Sequence, residues 1–315
     1  MKYITDVKDA AIDGQSVVTL GKFDGLHRGH MLLFERLKSM KKEKGWQTVV
    51  FTFSMNLMDW KFGKDFKTIQ DREERCRMLR RIGMDMLVEC PFTDEIRNME
   101  AERFVRDILV GQLHAACIVC GEDFRFGHNR TGDYALLQKL SETYHFHLEM
   151  IPSVMEEKTR ISSSRIREAI AQGNIEDANR MLGRPFTVEA VILDGQHLGR
   201  TIDMPTINQI PPVTKLLPPF GVYASVTEID GIRYNGVTNI GRKPTVGEFA
   251  VGVETHLFHV NANFYGKAAS VSLFHYLRPE KRFSSVDELK EQMHQDAERA
   301  EQILLEDHFQ SGCIE

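Results

Sequence analysis

The chain has 315 residues, of which 42% are hydrophobic and 27% charged, values that are ordinary for a globular protein and suggest two domains. No run of about 18 apolar residues occurs and no apolar secretory core opens the sequence, so it predicts neither a membrane span nor a secreted protein. A net charge of −5 without a long basic tract argues against a sequence-independent nucleic-acid binder.

Five scattered cysteines predict reduced thiols and hence a cytoplasmic protein. Cys117 and Cys120 have the spacing of a redox motif, but they lie in the apolar run 115–120, which indicates a buried strand. Strand residues face alternate ways, and no second Cys or His pair lies nearby to complete a metal site. We therefore expect both thiols to be structural.

The first half of the chain alternates strand-like with helix-like segments, which predicts a parallel sheet with helices on both faces. Hydrophobic spacing, β-branched content and glycine breaks define these segments. The predicted strands are 16–20, 47–53, 84–90, 115–120 and 147–151. The predicted helices are 31–44, 72–81, 100–113, 134–143, 164–171 and 175–182.

After residue 183 the pattern changes to strands without intervening helices, which predicts an antiparallel sheet or small barrel. The predicted strands are 186–193, 222–229, 233–240, 251–260 and 268–277. A single long helix, 286–305, follows them. The sequence therefore predicts two domains, residues 1–182 and residues 183–315.

A glycine-rich turn, GKFDGLHRGH over residues 21–30, joins the first predicted strand to the first predicted helix. Its glycines would let backbone N–H groups approach phosphate oxygens at the start of a helix. His27 and His30 lie three residues apart, so they point to one side and can donate hydrogen bonds to a polyphosphate. A tight turn with two surface histidines, or a metal site that lacks an evident third ligand, are the alternatives.

A second segment with phosphate-binding character reads TRISSSRIR over residues 159–167. Its three serines precede a predicted helix, where they expose hydroxyl and backbone donors. Arg160 and Arg167 can clamp phosphate oxygens with forked hydrogen bonds. An ordinary helix cap explains one serine but explains the arginines less well, so the segment favours phosphate binding.

Together the two segments resemble the nucleotidyltransferase superfamily that carries an HxGH motif. GEDFRFG over residues 121–127, Arg130, Gly132 and the whole second half narrow the resemblance to the prokaryotic bifunctional riboflavin kinase/FAD synthetase family. The resemblance implies a Rossmann-like parallel-sheet nucleotidyltransferase domain, then a mainly antiparallel β-barrel domain with a C-terminal helix. It also implies transfer of AMP from ATP to FMN with release of pyrophosphate, and Mg²⁺ as the cofactor.

The resemblance further implies roles for single residues. His27, His30 and Arg167 would serve the transition state, and Asp123 and Phe126 would lie on the flavin side, with core packing an equal alternative for Phe126. The residues implied to bind ATP are Gly21, Phe23, Asp24, Gly25, Gly29, Arg160, Ser163 and Ser164. A proline-containing family stretch is replaced by FTFSMNLMDW at residues 51–60, so the flavin cleft is expected to differ there.

Residues 195–208, GQHLGRTIDMPTIN, resemble the riboflavin kinase loop. The resemblance implies that Thr206 and Asn208 serve Mg²⁺ and nucleotide phosphates, and that Glu254 is the general base on the riboflavin 5′-hydroxyl. Asp203 stands where the family has glycine. One carboxylate at about 4 Å from a phosphate charge would repel it by about 4 kcal/mol at an effective dielectric constant of about 20. The sequence thus predicts FAD synthesis with weak or absent kinase activity.

Three alternatives remain open from the sequence. The chain could keep both activities, could adenylylate or cytidylylate a different acceptor, or could be a non-catalytic flavin-binding or regulatory protein. The expected partners are the small molecules ATP and FMN, with riboflavin added if the kinase is active. No nucleic-acid or membrane partner is predicted, and the sequence does not give the oligomeric state.

Overall fold

The computed structural model describes residues 1–54, 66–194, 204–242, 251–260 and 262–311, with side chains described as far as residue 306. Asp203 and residues 55–60 of the 51–60 stretch lie outside these ranges. The chain divides into two compact units, Met1–Ser163 and Ser164–Glu315. No helix within the described ranges is both long enough and apolar enough to cross a bilayer.

The first unit is built on a six-stranded sheet in which all neighbours are parallel, in the order β1-β4-β3-β2-β5-β6. Its strands are β1 (Lys2–Ile4), β2 (Ser16–Leu20), β3 (Gln47–Phe53), β4 (Met86–Cys90), β5 (Ala115–Gly121) and β6 (His147–Ile151). Strands β3 and β4 lie on one side of β2, and β5 and β6 lie on the other. In such sheets ligands bind beyond the carboxyl ends of the strands where the order reverses, which here is between β2 and β5.

Helices cover both faces of this sheet. They are α1 (Arg28–Lys44), α2 (Arg72–Ile82), α3 (Asp94–Arg97), α4 (Ala101–Arg103, continued as a π-helix over Phe104–Gln112) and α5 (Tyr134–Tyr144). Val17 belongs to the core layer that contains Leu37 of α1, whereas its neighbour Val18 belongs to the layer that contains Leu109. Successive strand residues thus serve opposite faces, as strand geometry requires. The predicted parallel sheet is confirmed.

The two cysteines of the redox-like spacing lie in different core layers. Cys117 packs in the layer under α1, and Cys120 packs in the opposite layer. Both side chains are fully buried, and burial raises the pKa of each thiol to about 12. A buried thiol that stays protonated is a poor nucleophile and a poor metal ligand. The prediction that both cysteines lie in a buried strand and face opposite ways is confirmed.

A short hairpin and two helices follow the sheet. They are β7 (Met155–Glu156), β8 (Thr159–Arg160), α6 (Ser163–Ala171) and α7 (Ile175–Leu182). Helix α7 lies in the second unit, where Asn179 Nδ2 donates to the Leu273 carbonyl at 2.9 Å and Asn179 Oδ1 accepts from the Phe186 N–H at 2.6 Å. The sequence placed α6 and α7 before residue 183 in the first domain, whereas the compact units divide at Ser163.

The second unit contains a closed barrel of antiparallel neighbours in the order β10-β13-β12-β11-β14-β9. Its strands are β9 (Phe186–Leu193), β10 (Thr206–Gln209), β11 (Gly221–Ile229), β12 (Ile232–Arg242), β13 (Val251–Leu257) and β14 (Ala268–Pro279). Helix α8 (Val286–Ser311) packs Ala300 and Leu304 against a cluster that includes Val222 and Val226. The predicted barrel with a C-terminal helix is confirmed.

A buried ion-pair cluster joins α2 to the sheet and yields a stability prediction. The Glu89 side chain is only 2% exposed, and it accepts hydrogen bonds from Arg75 at 3.0 Å and from the Tyr3 hydroxyl. Removing one partner of a buried pair leaves the other charge unsatisfied, so Glu89→Ala is expected to lower the free energy of unfolding by about 3–5 kcal/mol. Denaturant unfolding followed by tryptophan fluorescence measures this, because Trp46 and Trp60 both belong to the first unit.

The control for this substitution is Glu35→Ala, which removes an exposed glutamate from the middle of α1 and is expected to change stability by less than about 0.5 kcal/mol. A loss below about 1 kcal/mol in Glu89→Ala would show that the cluster contributes no more than a surface ion pair.

Candidate active sites

The turn that follows β2 is fixed by its own side chains. The Phe23 ring is buried, although its backbone has φ of +48°, a conformation that is uncommon for a residue other than glycine. The Asp24 carboxylate is also buried, and its Oδ1 accepts backbone N–H bonds from Ile69 at 2.9 Å and Gln70 at 3.3 Å. These two predicted ATP-binding residues therefore hold the shape of the turn through buried contacts.

A steric constraint favours glycine at each of the three glycine positions of the turn. Gly25 has φ of +87°, which strains a residue with a Cβ atom. A Cβ atom on Gly21 would lie 2.9 Å from the Phe23 ring, and one on Gly29 would lie 3.2 Å from the His27 ring. Side chains at these positions would displace the aromatic rings that build the turn.

The two histidines form a stacked pair at the N-terminus of α1. Their ring centroids lie 3.6 Å apart with an interplanar angle of 17°, and the Phe23 ring meets His30 edge-on at 5.2 Å. His27 is the N-cap, and its Nδ1 accepts the His30 N–H at 3.4 Å, so the neutral His27 ring carries its proton on Nε2. The pair thus lies where helix N–H groups and the helix dipole favour an anion.

The serine-rich segment reaches the same turn. Ser163 Oγ donates to the Asp24 carbonyl at 2.8 Å, although the two residues are 139 positions apart. Ser163 is the first residue of α6, and Ser164 and Arg167 follow on that helix. Arg167 comes four positions after Ser163, so both residues lie on one face of α6.

The β7–β8 hairpin forms ion pairs with the start of α1 and with the loop after β5. Arg160 on β8 pairs with Asp123 at 2.5 Å, and Glu156 on β7 pairs with Arg28 inside the histidine motif. Asp123 follows β5, the strand next to β2 at the reversal of strand order. Arg160 and Asp123 are about half exposed, so the pair adds little stability. Its consequence is geometric, because it holds the Arg160 guanidinium beside the loop that follows β5.

Phe126 lies in the hydrophobic core. It is buried, stacks on Phe124 with centroids 5.4 Å apart, and packs near Phe104. A Cβ atom on Gly132 would lie 2.6 Å from its ring, so glycine is required opposite it. Phe124, which belongs to the same GEDFRFG motif, is the half-exposed member of this stack.

Ser54 belongs to the proline-free stretch 51–60, but the resemblance implies no role for it. It directly follows β3 at the carboxyl edge of the sheet, where its N–H donates to the Cys90 carbonyl at 2.9 Å. Its hydroxyl is buried and has no hydrogen-bond partner among the described residues. A single serine after a strand carries no sequence signal, so only the burial of its hydroxyl distinguishes it.

The barrel brings the second set of candidate residues together. In the register of β10 and β13, Asn208 lies opposite Glu254, and on β12 Asn239 lies opposite Glu254 as well. Val253 and Thr255 are fully buried, so the half-buried Glu254 between them faces outward. The Asn208 amide, the Glu254 carboxylate and the Asn239 amide therefore form a row on the outer face of three strands.

Thr206 continues this row on β10 and pairs across the ladder with a histidine of β13. It lies opposite His256, whose Nδ1 is 2.9 Å from the Pro205 carbonyl. Burial is the main cause that holds the pKa of His256 below its ordinary value, and the hydrogen bond to Pro205 opposes it. The two strands thus contribute four polar side chains, two from each.

The donor atoms of this row fit Mg²⁺. The cation prefers oxygen ligands and binds through few protein groups, with water and substrate phosphates completing its shell. Thr206 and Asn208 offer a hydroxyl and an amide oxygen next to the Glu254 carboxylate. Within the described ranges, no three His, Cys, Asp or Glu residues cluster closely enough to hold a metal by themselves. A cation bound mainly through substrate is the arrangement that these residues suit.

Two family models match the chain. A FAD synthetase model matches residues 9–165, and a riboflavin kinase model matches residues 182–304. Residues 166–181, which include most of α6 and α7, lie outside both models. The domain boundary at residue 183 therefore stays a prediction.

Curated relatives match over almost the full length. The bifunctional riboflavin kinase/FMN adenylyltransferase of Escherichia coli K12 is 35% identical, over 89% of this chain and 90% of that protein. The protein of the same name from Haemophilus influenzae is 32% identical, over 90% and 92%. The one from Pseudomonas fluorescens is 33% identical, over 90% and 91%.

A solved structure matches both halves together. A macrolide-efflux protein from Streptococcus pneumoniae has a TM-score of 0.83 to this chain at 31% identity, covering 94% of this chain and 96% of that one. The architecture of a parallel sheet followed by a closed barrel is therefore shared over nearly the whole length. With two matching models and relatives above 30% identity, this chain belongs to the bifunctional riboflavin kinase/FMN adenylyltransferase family.

Proposed function

We propose that the chain has both activities, phosphorylating riboflavin to FMN and adenylylating FMN to FAD. The observation that carries the proposal is that each half has its own family match and its own converging set of polar residues. The curated relatives are named for both activities, which favours this alternative over the weak kinase predicted from Asp203. Its substrates are then ATP, riboflavin and FMN.

In the adenylylation step, an FMN phosphate oxygen attacks the α-phosphorus of ATP. The bond from that phosphorus to the bridging oxygen breaks, and pyrophosphate leaves with the electron pair. The reaction needs positioning and charge stabilisation more than covalent help from the protein. The stacked pair of His27 and His30 supplies donors at a helix N-terminus, and Ser163 and Arg167 occupy one face of α6. Arg160, oriented by Asp123, adds a guanidinium beside the loop after β5.

In the kinase step, the riboflavin 5′-hydroxyl attacks the γ-phosphorus of ATP, its proton passes to Glu254, and ADP leaves. Glu254 is supported as the base because it faces outward beside Asn208, the neighbour across the strand pair. Mg²⁺, when bound, neutralises phosphate charge. Thr206 and Asn208 would hold it together with the nucleotide phosphates.

Product analysis tests the proposal. The full chain with ATP and Mg²⁺ is given riboflavin alone or FMN alone, and flavins are separated by chromatography. Both FMN and FAD are expected from riboflavin, and FAD with stoichiometric pyrophosphate is expected from FMN. FAD from FMN without any FMN from riboflavin would refute the kinase half, and Asp203→Gly would then show whether that carboxylate is the cause. Flavin binding without pyrophosphate release would favour a non-catalytic binder.

A further inference from the structure

The strand β13 presents two outward side chains, of which only Glu254 has an assigned role. His256 lies two residues later on the same face, and it pairs across the ladder with Thr206. Its ring is half-buried, and its Nδ1 lies 2.9 Å from the Pro205 carbonyl oxygen. A carbonyl can only accept, so Nδ1 carries the proton of this hydrogen bond.

Thr206 is the first residue of β10 and lies at the end of its ladder with β13. Strand β10 has four residues and pairs with β13 along all of them, but in the described part of the chain it pairs with β9 only at Asn208 and Gln209. Among the described residues, the ladder partner of Thr206 is therefore His256 on β13. Pro205, which precedes it, has no N–H and cannot donate to extend the ladder.

The hydrogen bond from His256 acts on the peptide unit that positions Thr206. The peptide bond is planar, so fixing the Pro205 carbonyl oxygen also fixes the direction of the Thr206 N–H and Cα. Because Thr206 is stiff at χ1, its hydroxyl direction follows from that backbone orientation. The imidazole thus adds a second constraint on the orientation of Thr206, beside its pairing with β13.

We infer that His256 is a positioning residue of the kinase site, acting through the Pro205 carbonyl to aim the Thr206 hydroxyl at the bound cation and nucleotide phosphates. The inference rests on the proposed kinase function and deepens it. In this role His256 acts through the Pro205 carbonyl and not on the substrate, so it is a positioning residue and not a catalytic one. Outer contacts of this kind typically change cation affinity or activity by about 10- to 100-fold.

The test uses three substitutions in the full chain. His256→Ala removes the donor, His256→Asn keeps an N–H near the position of Nδ1, and His256→Gln places its amide near Nε2. In riboflavin phosphorylation, His256→Ala is expected to raise the Mg²⁺ concentration for half-maximal rate by about 10-fold or more, with a smaller effect on kcat at saturating Mg²⁺. His256→Asn is expected to recover most of this loss and His256→Gln little of it. FAD formation from FMN is the internal control.

Two further measurements separate positioning from folding. Imidazole ¹⁵N NMR of the unliganded protein is expected to show His256 protonated on Nδ1, and the thermal midpoints of the Ala and Asn variants are expected to agree within a few degrees. His259→Ala is the matched control, since His259 is exposed and pairs with Glu301 on α8.

The outcomes are distinct. Recovery in His256→Asn alone supports the inference. An unchanged Mg²⁺ dependence in His256→Ala, or equal losses in the Ala, Asn and Gln variants, overturns it while leaving the proposed kinase intact. A wild-type chain that makes no FMN from riboflavin overturns the kinase proposal, and this inference with it.

Discussion

His30→Ala is expected to lower kcat for FAD formation from FMN by about 100- to 1,000-fold, the typical loss when one preorganised donor to a transition state is removed. His30 stacks on His27 at 3.6 Å and receives the edge of the Phe23 ring, so its imidazole is held in one orientation before substrate binds. Removing it leaves the helix N-terminus but deletes a donor for the charge that develops on the α-phosphate and pyrophosphate oxygens. Steady-state rates of pyrophosphate release with FMN and ATP measure the loss.

Riboflavin phosphorylation by the same variant is the internal control, because its site is formed by barrel strands of the other unit, and it is expected to stay within about two-fold of wild type. His147→Ala, which removes an exposed histidine from β6, is expected to leave both activities unchanged. His27→Asn complements these variants, since asparagine keeps the N-cap of α1 while removing the imidazole. Wild-type FAD formation in both His27→Asn and His30→Ala would exclude the histidine pair from the reaction.

The longer elements of the fold could be predicted because each buries one regular face. Helix α1 and strands β2, β3 and β6 follow from hydrophobic period and glycine breaks, and the structure has them within a few residues of the predicted bounds. Elements of two to four residues, such as β1, β7, β8 and β10, show too few periods to be recognised. Strand β10 exists because β13 and β9 pair with it, which is tertiary information.

The residue types of the first site could be predicted. Which of these residues hold the shape of the turn and which face a ligand could not. A buried carboxylate that accepts two backbone N–H bonds, as Asp24 does, has the same sequence signature as one that faces a ligand. Phe23 is likewise buried, and its ring contacts the His30 ring edge-on instead of lying at the surface of the turn. The contact of Ser163 with the Asp24 carbonyl also depends on the folded path of the chain. Contacts between such distant segments have no local pattern.

In the barrel, the strand register shows which candidate residues are neighbours, and the sequence motifs do not. The sequence assigned Glu254, Thr206 and Asn208 separately from short motifs, and it could not say which of them face one another. Antiparallel pairing places Asn208 opposite Glu254 and brings Asn239 to its other side. A shift of one residue would turn Glu254 toward the barrel interior, so the register of β13 decides whether the carboxylate can act on a substrate.

Glu254→Gln is expected to lower kcat for FMN formation from riboflavin by about 100- to 10,000-fold, the contribution typical of a positioned general base. The amide keeps the size and hydrogen-bonding reach of the side chain but cannot take the hydroxyl proton. Its position beside Asn208 and Asn239 on the outer strand face is kept, so nucleotide binding at this site is expected to change little. FAD formation from supplied FMN is expected to remain at the wild-type rate. When riboflavin and FMN are supplied together, riboflavin is therefore expected to stay unreacted while FMN is consumed.

The matched control is Glu228→Gln on β11, where the carboxylate is partly exposed and only loosely paired with Arg233 at 3.6 Å. That variant is expected to keep both activities. If Glu254→Gln phosphorylates riboflavin at more than about one-tenth of the wild-type rate, the proton must leave by another route, because a tenfold loss corresponds to only about 1.4 kcal/mol of transition-state stabilisation. If it loses both activities while its thermal midpoint is unchanged, FAD synthesis depends on the barrel carboxylate, and the assignment of one reaction to each half is wrong.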